Sequence, residues 1–230
     1  MKTSKLIFIS LVGTIALLIL AAMLDMRING RKESDINSDF NVKKQSLKLF
    51  KTLYITNSVN ITLVKNDSSF IEITSLKDSF SPKVNFSIND DTLKISDFEK
   101  LSHSNASIRI HATNSLRHVL LKNSSLNLES FSTEELSLII DKSNVFLMES
   151  EPHKSRIHFL EILANNHSNV YGSQYVDSMG IALQHSEISL NGITLKLGGT
   201  LSDSSRIQAR QPQEIWLKKD GTSKININDY

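Results

Sequence analysis

Ser186-Glu-Ile-Ser-Leu190 is one of six copies of a five-residue pattern that recurs through the second half of the chain. Each copy starts with a serine and a polar residue, and two aliphatic or small residues follow at alternate positions. The leading serines lie 19, 25, 18, 19 and 18 residues apart. A period of this length predicts a stack of units, each burying its apolar face against its neighbours. The other copies are Ser124-Ser-Leu-Asn-Leu128, Ser143-Asn-Val-Phe-Leu147, Ser168-Asn-Val-Tyr-Gly172, Ser205-Arg-Ile-Gln-Ala209 and Ser223-Lys-Ile-Asn-Ile227.

Each copy alternates between side chains suited to a core and side chains suited to solvent, which predicts a β-strand with one buried face. A second alternating run precedes each copy, so each unit holds at least two short strands. In the copies, the residues predicted to point inward include Leu126, Leu128, Val145, Leu147, Ile188, Leu190, Ile225 and Ile227, and those predicted to point outward are Asn127, Phe146, Tyr171, Ser189, Gln208 and Asn226. In the preceding runs the predicted inward pairs are Val119/Leu121, Leu138/Ile140, Leu160/Ile162, Ile181/Leu183, Leu195/Leu197 and Ile215/Leu217.

The chain before the repeats also has the pattern of β-structure. Alternation begins at Leu49, and the segments 84–88 and 93–95 predict a hairpin around the turn Asn89-Asp-Asp91. No stretch after residue 30 shows convincing helical periodicity. The protein is therefore predicted to be all-β.

Two all-β architectures fit units of this length. The predicted fold is a right-handed parallel β-helix, or solenoid, of about six to nine short turns behind an N-terminal transmembrane helix, and a β-sandwich is the alternative. Serines at one position of every unit favour the β-helix, because stacking makes one corner chemically uniform. Aligned hydroxyl groups can hydrogen-bond along such a stack or to the turn backbone.

The N-terminal segment predicts membrane attachment. Residues 6–24 are 19 residues without a charge, preceded by Lys2 and Lys5, and about 20 apolar residues cross a bilayer's hydrocarbon core. A cleaved signal peptide usually has a shorter apolar region of about 7–15 residues, and Ala21-Ala-Met-Leu-Asp25 is a poor cleavage sequence. We therefore predict a retained signal-anchor in residues 1–32, a linker in 33–47 and one domain in 48–230. The predicted location is the cell envelope, as a single-pass membrane protein with an extracytoplasmic C-terminal domain. The alternative is secretion after signal-peptide cleavage.

Charge and composition exclude several functions. The net charge is +2, but residues 1–32 carry +4, so the remaining residues carry −2. A near-neutral body without a basic run predicts no nucleic-acid partner. The chain has no cysteine, which excludes disulfides, thiolate metal sites and a cysteine nucleophile. Hydrophobic residues make up 40% of the sequence, which is enough to form a core.

Two parts of the sequence resemble a known family. The first is Phe50-Lys-Thr-Leu-Tyr-Ile-Thr-Asn-Ser-Val-Asn-Ile-Thr-Leu63, followed by the segments 69–73 and 91–95. The second is the stretch 108–126, which leads into the repeats. Together they resemble the putative auto-transporter adhesin head domain, or GIN domain, of bacterial exported proteins, over roughly residues 48–230. The resemblance implies an adhesin-like envelope protein, and it supplies neither a ligand nor an active-site residue.

The sequence predicts no catalytic residue and no cofactor. It contains no Gly-x-Ser-x-Gly elbow, and the repeated serines fit a role in turns. Asp141, Asp203 and Asp220 lie in different units, so a pair of catalytic carboxylates is not evident. We expect a non-catalytic module for binding, adhesion or envelope scaffolding, with a protein or glycan ligand. The alternative is a carbohydrate-active enzyme, a polysaccharide lyase or hydrolase, on the same frame.

His167 and His185 are candidates for a weak metal site. Each precedes a repeat serine, so in a β-helix they would stack on adjacent turns about 5 Å apart. Two histidines at that spacing could share a metal ion, but no third ligand is obvious. The favoured interpretation is that both are solvated corner residues, and no metal is predicted.

Five outward-facing apolar residues predict an interaction patch. Phe146 and Tyr171 occupy equivalent positions in consecutive units, Leu120 and Ile139 do so in the preceding strands, and Trp216 also falls at an outward position. A stacked set of this kind suits a partner surface or a sugar ring. The alternative is that a neighbouring segment, around Phe131 or Tyr175, covers them.

The C-terminal unit predicts self-association. Residues 225–230 provide no polar cap for the last turn, and an uncapped turn exposes backbone groups and a cross-section of the core. We expect the N-terminal strands at 49–95 to close the opposite end. The predicted partner of the C-terminal turn is therefore a second copy of the chain, in an end-to-end homodimer.

Overall fold

Nineteen β-strands account for most of the residues that the structure describes. The computed structural model describes residues 13–15, 17–21, 23, 40–58, 61–76, 84–96, 106–149, 155–210 and 212–228. The chain divides into two units, residues 1–40 and residues 41–230. The strands are β1 (Phe40–Ser46), β2 (Thr52–Thr56), β3 (Ile61–Lys65), β4 (Phe70–Leu76), β5 (Asn85–Asn89), β6 (Thr92–Ser96), β7 (Ser107–Ala112), β8 (His118–Lys122), β9 (Ser125–Glu129), β10 (Thr133–Asp141), β11 (Asn144–Met148), β12 (Arg156–Asn165), β13 (Asn169–Gly172), β14 (Tyr175–Gln184), β15 (Glu187–Leu190), β16 (Thr194–Ser202), β17 (Arg206–Arg210), β18 (Glu214–Lys219) and β19 (Lys224–Asn228).

The strands form two sheets, which confirms the all-β prediction. The first sheet has the order β1-β4-β7-β3-β9-β11-β13-β15-β17-β19, and the second has the order β18-β16-β14-β12-β10-β8-β2-β6-β5. From β8 onward the chain alternates between the sheets, and each strand pairs in parallel with the strand two places later. The six copies of the repeat are the first-sheet strands β9, β11, β13, β15, β17 and β19. A turn of chain therefore contributes one strand to each sheet.

The segment between β3 and β8 extends the two sheets at their other end. Strand β6 pairs in parallel with β2, and β7 pairs in parallel with β3. The outer neighbours β5 and β4 pair antiparallel with β6 and β7. The predicted hairpin is confirmed as β5–β6, and its turn residues Asp90 and Asp91 have φ angles of 47° and 58°. These left-handed angles match the tight turns that favour Asn and Asp.

One continuous core joins the inward faces of both sheets. Most residues predicted to point inward are buried, including Leu126, Val145 and Ile188. Ile215 is an exception: it is 43% exposed because β18 is the last strand of the second sheet, so no further strand covers it within the described chain. Ile225 and Ile227 on β19 are half-buried for the same reason.

Four strands of the second sheet break the simple alternation. In β12 the buried residues are Ile157, Leu160, Ile162 and Ala164, and the two consecutive residues between the first two point outward. The same break occurs in β10, β14 and β16. Leu195 falls at this break in β16 and is half-buried rather than inward, so its predicted orientation is wrong. An extra outward residue of this kind bends a strand.

The repeat serines form a hydrogen-bonded ladder through the stack. The backbone N–H of each serine donates to the hydroxyl oxygen of the serine one turn later, at 3.0–3.3 Å, from Ser58 through Ser124, Ser143, Ser168 and Ser186 to Ser205. Each hydroxyl in turn donates to a carbonyl two or three residues before it. All six serines are buried. The ladder therefore pairs backbone groups that the turns would otherwise leave unsatisfied.

The N-terminal predictions lie mostly outside the described residues. Residues 13–15, 17–21 and 23 are helical, and the rest of the predicted anchor at 6–24 is not described. Among the described residues, no helix is both long and apolar enough to cross a membrane. Within the predicted linker at 33–47, residues 40–46 form β1. Its side chains are almost all exposed, so it carries no apolar alternation that the sequence could reveal.

Candidate functional site

A groove crosses the outer face of the second sheet from β12 to β18. Its volume is about 340 Å³. Phe159 and Trp216 are its two aromatic side chains, 41% and 54% exposed. The break in alternation turns Phe159 outward beside His158. The groove is lined by Phe159, Glu161, Leu163, Ser178, Met179, Gly180, Ile181, Ala182, Gly198, Gly199 and Trp216.

Glycines make the floor of the groove. Gly180 and Gly198 are register neighbours on β14 and β16, and Trp216 is the next residue in that row. A Cβ on Gly198 would lie 2.0 Å from Nε1 of Trp216, so the indole occupies the space that a side chain would fill. A Cβ on Gly180 would lie 3.9 Å from Cζ of Phe159. Both aromatic rings therefore lean over glycines of the central strands and leave their remaining surface open to solvent.

Glu161 places a polar group at the groove. It stands opposite Gly180 in the sheet register, and its Oε2 accepts a hydrogen bond of 3.0 Å from the hydroxyl of Ser137. Glu161 is the single carboxylate among the residues that line the groove. The groove thus combines two exposed rings, a floor of small residues and one oriented acceptor.

The five residues of the predicted patch lie on two different faces. Leu120 and Ile139 are register neighbours on the outer face of the second sheet, and Leu163 of the groove is the next residue in that row. Trp216 lies on the same face. Phe146 and Tyr171 lie instead on the outer face of the first sheet, where their rings stack with centroids 5.4 Å apart. Phe131 is buried, and Tyr175 packs under the guanidinium of Arg156, 4.9 Å from the ring centroid.

His167 and His185 lie together at a corner of the stack. Their ring centroids are 4.5 Å apart, and their φ angles of 65° and 53° are left-handed. Asn123 and Lys142 precede their own ladder serines with similar angles, so the histidines occupy turn positions that also suit asparagine. No group of three potential metal ligands occurs within the described part of the chain.

A charged cluster lies next to the groove at the start of β12. Arg156 donates from Nε to Oδ1 of Asp177 at 2.6 Å, and Nδ1 of His158 lies 2.6 Å from Oδ2. Nε2 of His158 is 3.7 Å from Oε1 of Glu134. Desolvation raises the pKa of Asp177, but the hydrogen bonds from Arg156 and His158 outweigh it and hold this pKa below its ordinary value. Asp177 is therefore ionised and fixes the orientation of both partners.

The sequence pattern did not identify Phe159, Glu161 or the charged cluster. The sequence prediction assumes strict alternation in every second-sheet strand, and β12 departs from it. Gly180 and Gly198 are the feature of the sequence that could have indicated the groove. Glycine within a strand often marks a place where a ligand or another part of the chain approaches the backbone closely.

Two solved structures of similar fold come from Bacteroides fragilis and Parabacteroides distasonis. One, described as a "putative adhesin" from Bacteroides fragilis, has 13% identity and a TM-score of 0.53, and the alignment covers 82% of this chain and 97% of that chain. Another, described as a "putative lipid binding protein" from Parabacteroides distasonis, has 13% identity and a TM-score of 0.53, with coverage of 84% and 98%. At this identity the likeness concerns the fold alone. No family model and no curated protein matches the chain.

Proposed function

We propose that this protein is an exported, membrane-anchored, non-catalytic module that binds a glycan chain in the groove on its second sheet. The groove between Phe159 and Trp216 is the observation that carries the proposal. Exposed aromatic rings pack against the apolar faces of sugar rings, while Glu161 can accept hydrogen bonds from their hydroxyl groups. An open groove on a flat sheet suits an extended ligand better than an enclosed small molecule.

The scaffold in this proposal is a right-handed parallel β-helix of the adhesin-head type. Support comes from the alternation of the chain between two sheets and from the serine ladder, which places one serine at the same corner of successive turns. The description of one similar structure as an adhesin agrees with a role in binding. A β-helix presents its strands as a ladder of about 4.8 Å per step, so β12 to β18 offer about 14 Å of continuous surface.

The groove favours binding over hydrolysis. Glycosidases use two carboxylates roughly 5–9.5 Å apart across the scissile bond, whereas Glu161 is the one carboxylate that lines this groove. Its Oε2 is also engaged by the hydroxyl of Ser137. A glycoside hydrolase, which is one form of the competing function, would need a second carboxylate beside the bound sugar.

The proposed location is the cell envelope, with the domain outside the cytoplasm and residues 6–24 in the membrane. Mass spectrometry of the native protein, with protease treatment of intact cells, tests this arrangement. A retained N-terminus and cleavage by external protease are expected. A mature N-terminus between Ala22 and Glu33 would exclude the anchor.

A glycan array probed with the full-length chain in detergent tests the function. Wild-type protein is expected to bind a subset of glycans, and Trp216→Ala and Phe159→Ala are each expected to weaken binding by about tenfold or more. Tyr171→Ala is the matched control, because it removes an exposed aromatic ring from the opposite face. Equal binding by wild type and both groove variants would refute the assignment of the groove.

The end-to-end homodimer is a further part of this proposal. Strands β18 and β19 are the last strands of the two sheets in the described chain, and Ile215 on β18 is exposed. Light scattering on the full-length chain is expected to show a dimer that Ile225→Lys/Ile227→Lys separates. A wild-type monomer at tens of micromolar, well above the dissociation constant of a stable dimer, would rule out this contact.

A further inference from the structure

A charged cavity adjoins the groove at the beginning of β8, β10 and β12. Its volume is about 240 Å³, and four nitrogen-containing side chains line its wall, those of Lys65, Arg117, Arg156 and His158. Glu134 is the one carboxylate in the lining, and Asn114, Ser132 and Thr133 complete it. Arg156 and His158 are held in place from behind by Asp177. The cavity is thus a preformed cluster of cationic and polar donors.

The cationic side chains of this cavity keep N–H groups that can donate hydrogen bonds to a ligand. Lys65 donates one hydrogen bond from Nζ to the carbonyl of Ser132 at 2.6 Å. Arg117 uses Nη1 for the carbonyls of Asn114 and Leu116, at 2.6 and 3.1 Å. Arg156 uses Nε and Nη2 for Asp177. Within the described residues, Nη2 of Arg117 and Nη1 of Arg156 therefore remain free to donate.

The charge balance of the cavity favours an anion. Lys65, Arg117 and Arg156 provide three positive charges, against the carboxylates of Glu134 and Asp177. Asp177 is fully engaged by Arg156 and His158, and the side chain of Glu134 is 82% exposed and directed to His158 at 3.7 Å. Lys65 and Arg117 have no carboxylate partner within the described chain. An anionic group between these two side chains would form charge-assisted hydrogen bonds, which are stronger than neutral ones.

The cavity and the groove meet at two consecutive residues. His158 lines the cavity and Phe159 lines the groove. Both point outward because the alternation breaks at this position of β12. A chain that stacks on Phe159 therefore lies next to a residue of the cavity wall.

We propose that the glycan bound by this protein is acidic, and that the cavity between Lys65 and Arg117 takes the carboxylate of one of its sugar residues. This inference rests on the proposed function, because the groove holds the sugar rings and the cavity selects the charge. Arg156 contributes a further donor, and Asp177 acts as the positioning residue that orients it. Polyuronic acids have the required chemistry, a repeated ring that bears one carboxylate.

Calorimetric titration of the full-length chain in detergent tests this selection. The probes are hexagalacturonate and its fully methyl-esterified form, which share the same rings and differ in charge. The acid is expected to bind at least tenfold more tightly than the ester, and its affinity should fall as salt is raised from 20 to about 500 mM. Arg117→Gln and Lys65→Gln should each weaken binding of the acid about tenfold and leave binding of the ester unchanged. Lys122→Gln is the control, since it removes the same charge at the far end of β8.

The outcomes separate this inference from the proposed function. The inference is supported if wild-type protein prefers the acid, if Arg117→Gln and Lys65→Gln lose this preference, and if Lys122→Gln retains it. Equal affinity for acid and ester, unaffected by these variants but lost in Trp216→Ala, would overturn the inference and leave the glycan-binding groove in place. Absence of binding by both probes, together with a negative glycan array, would overturn the proposed function and this inference with it.

Discussion

Replacing Ser168 by alanine removes the central rung of the serine ladder. Ser168 is fully buried. Its hydroxyl oxygen accepts from the backbone N–H of Ser143 at 3.2 Å, and its hydroxyl hydrogen goes to the carbonyl of Asn165 at 2.5 Å. The alanine variant keeps the backbone hydrogen bond from Ser168 to the hydroxyl of Ser186, because the donor is the main chain. The perturbation is therefore confined to two buried backbone groups.

The expected cost follows from these two groups. A buried donor or acceptor that loses its partner costs about 1–3 kcal/mol. The N–H of Ser143 loses its partner, whereas the carbonyl of Asn165 still accepts from the N–H of Lys142 at 3.3 Å. We therefore expect Ser168→Ala to lower the free energy of unfolding by about 1–3 kcal/mol. This is a large share of the roughly 5–15 kcal/mol of a typical domain.

Urea unfolding followed by circular dichroism measures this loss. Ser189→Ala is the matched control, because Ser189 points outward on the next first-sheet strand, and a change there should stay within about 0.5 kcal/mol. Ser223→Ala tests the end of the ladder, where the hydrogen-bond pattern changes. The N–H of Ser205 donates to the carbonyl of Ser202 at 3.2 Å, so it does not depend on the hydroxyl of Ser223. The cost of Ser223→Ala should therefore be smaller than that of Ser168→Ala. Equal stability of the Ser168 and Ser189 variants would refute the structural role of the ladder.

Three further predictions concern the stack. Gly199 has a φ of 136°, and a Cβ there would lie 1.9 Å from the carbonyl oxygen of Ile181. Thermal unfolding should therefore show that Gly199→Ala destabilises the protein by more than about 2 kcal/mol. A comparable loss of stability in Gly198→Ala, where only the exposed indole of Trp216 must move, would contradict this expectation. Leu147→Asp should unfold the domain, since a buried unpaired carboxylate costs several kcal/mol, while the outward change Asn127→Asp should be tolerated; similar melting of the two would show that the faces are misassigned. Hydrogen bonds from Ser223 and from the backbone N–H of Asp203 lower the pKa of Asp220. Because this folded-state pKa lies below the unfolded value of about 3.9, the stabilisation is present above that pH and is lost on further acidification; acid titration of Asp220→Asn should show a shallower loss, and an unchanged profile would argue against the contribution.

The spacing of the serines predicts the repeated strands of the first sheet. It located all six first-sheet strands of the repeats, because every turn needs the same hydroxyl at the same corner. The rung at Ser58 was missed, since 66 residues separate it from Ser124. The chain between them leaves to form β4 to β7 and then returns, so the contact has no constant period in the sequence.

The binding surface was less predictable than the fold. Trp216 and Ile139 were identified by parity, but Phe159 was not, because two consecutive outward residues in β12 violate period-two alternation. The pairing of Arg156 and His158 with Asp177 joins residues 19–21 positions apart on neighbouring strands. A strand sequence gives no sign of such a contact until the register between β12 and β14 is known. The exposure of Ile215 likewise depends on its place at the end of a sheet.

The fluorescence of Trp216 is the most direct measurement of the central claim that the groove binds glycan. The chain has a single tryptophan, and it lies in the groove with 54% of its surface exposed. Saturation of the full-length chain with a glycan that it binds is expected to shift the emission to shorter wavelength and to protect the indole from quenching by acrylamide. Tyr171→Ala, altered on the opposite face, should respond in the same way as wild type. If the glycan binds but leaves the emission of Trp216 and its quenching by acrylamide unchanged, the account is contradicted, because the ligand then lies outside the groove.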